Sequence, residues 1–185
     1  MARKQALREF QTRLAERMLA ARSQARGGAW LAVEAGGQGF LVRLADAGEI
    51  FATASLVPLP HAQPWCAGVA NLRGQLHTVV DLGRFFGLAA GDPVTAQRAQ
   101  LLAFNPRLDI NAALRVDRLS GLRNAAQMRA CQDPPAPADN PSGVVAVVRR
   151  PAFAPALLCD EAGRVWQELD LGALARHETF LRIAA

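Results

Sequence analysis

The side chains able to do chemistry are few and far apart. His61, His77 and His177 stand singly, and none of the four serines (Ser23, Ser55, Ser120, Ser142) lies in a GxSxG nucleophile turn. Lys4 is the sole lysine and no GxxxxGK is present, so a phosphate-cradling loop of that type is excluded. Gly36-Gly37-Gln38-Gly39 lacks the GxGxxG spacing and reads as a turn. His61 and Cys66 lie five residues apart but find no further ligands nearby; a loop histidine and a packed thiol are the plainer reading. His77 falls in a strand candidate without an acid beside it, which is poor context for a phosphoryl acceptor. Asp81 ends an apolar strand, where its carboxylate suits the cap of a following helical turn. Paired carboxylates occur only as Asp160-Glu161, ahead of a turn. These patterns predict no catalysis, no cofactor and no metal.

The cysteines, Cys66, Cys131 and Cys159, are odd in number, widely spaced and without a CxxC. That predicts neither a disulfide framework nor a structural zinc site, and it fits a reducing cytosol. No secretory signal is read at the start, and no apolar run reaches the roughly 18 residues of a membrane-spanning helix. The net charge of +5 is local. Residues 1–26 carry seven basic and two acidic side chains, while the remainder balances 14 arginines against 14 acids. A neutral body without tyrosine is a weak platform for nucleic acid.

The elements that must position these residues are short. Residues 1–28 form a leading segment in which Leu7, Phe10, Leu14 and Met18 recur at spacings of three and four, as on one face of a helix. That stripe predicts a helix docked on the domain or on a second copy; a basic helix on a membrane surface is the alternative. Gly27-Gly28 stops it. Strands are then expected over Trp30–Glu34 and Phe40–Leu44 as a hairpin, over Glu49–Val57, and over Cys66–Leu72 and Gln75–Leu82 as a second hairpin about Arg73-Gly74. A helical turn follows at Arg84–Leu88. Gly91-Asp92-Pro93 reads as a boundary. Beyond it, strands are expected over Gln100–Asn105, Ile110–Val116, Leu119–Arg123, Gly143–Val148, Phe153–Cys159 and Arg164–Glu168. A proline-rich loop spans 131–143, and a closing helix Leu169–Arg176. Short strands in this number predict a mainly β fold of two small barrels in series, 29–90 and 91–168, with a closing helix over 169–176 and a tail over 177–185.

Residues 68–88, GVANLRGQLHTVVDLGRFFGL, closely resemble the signature of the CheW-like family of chemotaxis adaptors. In that family a GV-x-NLRG turn precedes an apolar strand, a DL pair and a short helix ending in FGL. Glu49-Ile50 sits where the family carries its glutamate-isoleucine pair, and Leu114–Leu119 is similar to its VDR step. The likeness extends over residues 29–176. The leading helix, the GGQ turn and the closing LDLGALARHETFLRIAA look like the PilI branch, which serves pilus-linked chemosensory systems. Two departures stand out: no acid follows the VDR step, and His77-Thr78 makes the signature strand more polar.

The resemblance implies two SH3-like five-stranded β-barrels without catalytic activity. It implies a cytoplasmic scaffold, associated with membrane receptor arrays, that couples the regulatory domain of a CheA-like histidine kinase to the cytoplasmic tip of a methyl-accepting chemoreceptor. Neither nucleic acid nor membrane insertion is expected. The partner-binding residues would be Glu49, Ile50, Gly68, Val69, Asn71, Arg73 and Gly74. Gly68 and Gly74 allow tight backbone geometry, Asn71 can bond its own turn, and Arg73 offers a planar fork of donors. In the family fold Glu49 and Arg73 would lie close enough to pair. The competing class is a nucleic-acid-binding SH3-like module whose basic leading helix contacts phosphates through Arg8, Arg13, Arg17 and Arg22.

Overall fold

The computed structural model describes residues 29–52, 54–88, 98–131 and 150–185. The expected helix with its docking residues Leu7, Phe10, Leu14 and Met18, the boundary at 91–93, the strand at 143–148 and nearly all of the proline-rich loop lie outside the described residues.

Eleven strands are described: β1 (Ala29–Ala35), β2 (Gln38–Arg43), β3 (Ala47–Ala52), β4 (Cys66–Leu72), β5 (Gln75–Asp81), β6 (Gln100–Phe104), β7 (Ala112–Val116), β8 (Arg118–Asn124), β9 (Arg129–Ala130), β10 (Leu157–Cys159) and β11 (Val165–Leu169). Three one-turn helices accompany them: α1 (Leu82–Phe85), α2 (Leu171–Leu174) and α3 (Glu178–Leu181). Both predicted hairpins are present, β1 with β2 and β4 with β5. The strand expected over 153–159 is confined to β10, because Pro151 and Pro155 cannot donate to a ladder and Ala154 N instead closes a turn onto Pro151 O at 2.8 Å.

The strands form two sheets, ordered β8-β1-β2-β11-β10-β9 and β3-β6-β7-β5-β4. Each draws on both halves of the chain, so residue 90 does not divide one sheet from the other. The first hairpin finds its partners in β8 and, in parallel, β11. The second finds its partner in β7, also in parallel.

This interleaving follows from the burial pattern. Leu31, Val33, Phe40, Val42, Leu102, Phe104, Leu114 and Val116 face one common core between the sheets. Their neighbours on the same strands point the other way: Leu101, Ala103 and Ala113 into one smaller core, Ala32 and Leu41 into another around Trp166. Strands buried on both faces read as continuous apolar runs, as in QLLAF, and side chains of period two serve two cores at once.

Phenylalanines close the seam between the sheets. Phe86 of the signature packs on Phe40 with ring centroids 4.9 Å apart, and Phe85 packs edge-on against Trp65 at 5.2 Å. The expected tail continues the fold. Phe180 of α3 is buried against Phe104 and Phe85, and Gln63 N donates to Ile183 O at 2.7 Å. One expectation is overturned: Cys131 and Cys159 form a disulfide, with Cα atoms 5.5 Å apart. The pairing of β9 with β10 brings together two residues that 28 positions of sequence separate. Cys66 is a free thiol.

Candidate functional site

The signature hairpin is built by its turn. Leu72 and Gln75 pair across a two-residue turn, and both residues within it, Arg73 (φ 51°) and Gly74 (φ 86°), take the left-handed conformation. Two successive positive φ values match the twist of a hairpin but burden any residue with a Cβ. Asn71 offsets part of that cost, its Oδ1 accepting a bond from Gly74 N at 2.7 Å. The turn therefore fixes the direction of the Arg73 side chain, which is 76 % exposed.

Arg73 reaches Glu49 on β3, with Nη2 to Oε1 at 2.6 Å. β3 and β4 are the two outer strands of their sheet, so this ion pair joins its opposite edges and marks a sheet curled on itself. The pair is exposed and contributes roughly 0–1 kcal/mol to stability. Ile50 follows Glu49 on the exposed edge, and Leu76, opposite Asn71, is 67 % exposed. Glu49, Ile50, Asn71, Arg73 and Gly74 are thus surface residues drawn to one end of the sheet, while Val69 is half-buried.

Gly68 stands apart, because it is buried and its role is backbone geometry. At φ 126° it sits in a bulge of β4, and a Cβ there would lie 2.3 Å from Val57 O. That closeness lets Val57 and Val69 exchange two backbone hydrogen bonds of 2.9 Å. Asp81 caps α1 as expected, accepting from Arg84 N at 3.0 Å, and its other oxygen meets Arg115 at 3.2 Å.

A second polar cluster has no local sign in the sequence. Glu34, buried at the end of β1, meets Arg118 at 2.7 Å and Arg164 at 2.9 Å and accepts from the Ser120 hydroxyl. Burial pushes its carboxyl upward, but the bonds from Arg164, Ser120 and Arg118 prevail and bring its pKa down to about 2. Asp117, next to Arg118, accepts from Gly36 N at 2.8 Å. The VDR step is therefore the crossover from one sheet to the other, anchored on the first hairpin by both Asp117 and Arg118. A partner 84 positions away is invisible to local reading. Nearby, the Trp166 indole N–H donates to Asp160 at 2.9 Å and holds that carboxyl below its ordinary value. Beside this cluster a groove of about 860 Å³ opens along the seam, lined by Phe40, Phe86, Phe153 and Arg164 among others.

A hairpin with an oriented arginine, a curled five-stranded sheet and a crossover locked by Asp-Arg define a class of domain. The CheW-like domain family model matches residues 29–179, and the chain belongs to that family. Protein PilI of Pseudomonas aeruginosa is 34 % identical over 89 residues, which is 48 % of this chain and 48 % of that protein. The match thus spans about half the length of this curated relative. Among solved structures, the scaffolding protein TtCheW from Thermoanaerobacter tengcongensis has the same fold, with a TM-score of 0.58 at 17 % identity over 77 % of this chain and 88 % of that one.

Proposed function

We propose that this chain is a non-catalytic scaffold that couples a CheA-like histidine kinase, through its regulatory domain, to the cytoplasmic tip of a methyl-accepting receptor. Its setting is the cytoplasmic face of a receptor array that controls type IV pili and twitching motility. Membership of the CheW-like family and the likeness to PilI support this reading. The observation that carries it is the Arg73–Glu49 pair on an exposed sheet end. A pair worth so little to the fold leaves a guanidinium whose direction is set by a strained turn. Interface hot spots favour arginine among apolar neighbours, and Ile50 and Leu76 supply them here.

The test is calorimetric titration of the kinase regulatory domain and of the receptor tip with Arg73→Glu. At least one affinity should fall about tenfold, the equivalent of about 1.4 kcal/mol, with the melting temperature nearly unchanged. Glu49→Arg combined with Arg73→Glu should recover part of each single loss. Wild-type affinity of Arg73→Glu for both partners would remove the residue from the mechanism. Salt-sensitive RNA binding that disappears when residues 1–26 are deleted would replace the scaffold reading with the nucleic-acid one.

A further inference from the structure

The six-stranded sheet ends on its shortest pairing. β9 has two residues and β10 three, joined with Ala130 opposite Leu158 and Arg129 opposite Cys159. Cys131 N extends this ladder by donating to Leu157 O at 2.9 Å. The register sets Cys131 and Cys159 diagonally across the two strands, where the disulfide joins them. Two residues of ladder at a sheet edge provide little hold of their own, so the covalent bond supplies much of what keeps β9 in place. Both cysteines are only half-buried, within reach of a small thiol or disulfide in solution. The packing beneath is separate: Leu158 packs on the cluster of Ala32, Leu41, Met128 and Trp166, which does not include either sulfur. Opening the bond therefore leaves that core in place.

We propose that Cys131 and Cys159 form a reversible thiol–disulfide site, oxidised by a low-molecular-weight disulfide of the glutathione class. Its state sets how firmly β9 is held. In the forward step one cysteine thiolate attacks a sulfur of glutathione disulfide. A mixed disulfide forms and one glutathione thiolate leaves. The second cysteine thiolate then attacks the protein-bound sulfur of that mixed disulfide, forms the Cys131–Cys159 bond and releases the second glutathione. The protein loses two protons and two electrons, and the glutathione disulfide is reduced to two thiols. Exposure at an edge is what makes exchange accessible in both directions. Cys66 lies in β4, in the other sheet, and serves as an internal control.

The experiment equilibrates the full chain in glutathione buffers from fully reduced to fully oxidised, then alkylates the free thiols and counts them by mass. Three labelled cysteines are expected at the reduced end. At the oxidised end Cys131 and Cys159 should be unlabelled and joined without added glutathione, while Cys66, a half-buried thiol without a partner cysteine, is either labelled or carries one glutathione. Hydrogen exchange at the Cys131 amide should be about tenfold faster in the reduced protein. Cys66→Ser should keep both responses. Cys131→Ser and Cys159→Ser should each lose the exchange response and trap glutathione on the remaining partner. Three labelled thiols throughout, a bond that excess glutathione leaves closed, or equal exchange at the two ends would each overturn the proposal.

Discussion

Gly68 and Glu34 show how single residues hold the architecture around the candidate site. The backbone at Gly68 is in the left-handed half of conformational space and touches Val57 O, so even one methyl group meets both torsional and steric cost. Gly68→Ala should destabilise the domain by about 2–4 kcal/mol in urea denaturation and loosen the hairpin that carries Arg73. Glu34 works through charge. Its pKa falls from an ordinary 4.5 to about 2 on folding, so its contribution is fully present above pH 4.5 and is lost as pH falls toward 2. A shift of that size corresponds to roughly 3 kcal/mol. Denaturation at pH 7 and pH 3 should therefore show a steep loss in the native protein. Glu34→Gln should be weaker at pH 7 and lose less between the two. An equal pH dependence in both would refute the linkage.

The elements were legible where local rules govern them. Arg73-Gly74 and Gly36-Gly37 each sit between apolar runs, and both hairpins follow from that spacing. Asp81 capped the turn it precedes. The surface residues of the candidate site, from Glu49 to Gly74, were equally visible because a contiguous motif holds most of them. What escaped was set by distance along the chain. Phe180 looked like part of a tail, yet its ring lies 5.7 Å from Phe104, stacked across the seam. The disulfide escaped for the same reason: cysteine counting cannot see that β9 and β10 are neighbours. Phe180→Ala should cost about 3–5 kcal/mol, far more than a change in a solvated tail. A loss below about 1 kcal/mol in thermal or urea denaturation would mean that α3 is dispensable. Removing residues 1–26, by contrast, should leave the β-type circular dichroism intact, since every described strand pairs with another strand between Ala29 and Leu169.

At the scale of the molecule, the two sheets are cut from one interleaved chain. A protein whose halves were independent barrels would survive division near residue 90. Here residues 29–97 would retain β1 and β2 without β8 and β11, and β5 without β7. Neither fragment, 29–97 nor 98–185, should show cooperative melting alone, and mixing the two should restore it. Independent melting of either would contradict the topology. The same topology bears on synthesis. Arg43 at the end of β2 meets Glu168 at 3.3 Å across 125 positions. At about 5–20 residues per second, the first hairpin leaves the ribosome roughly 6–25 seconds before its parallel partner exists. For that interval the β2 edge that β11 will pair is open, and Leu41 lacks the Trp166 ring that shares its core in the finished protein. That strand edge is available to other chains during synthesis, through a window that the completed protein no longer shows.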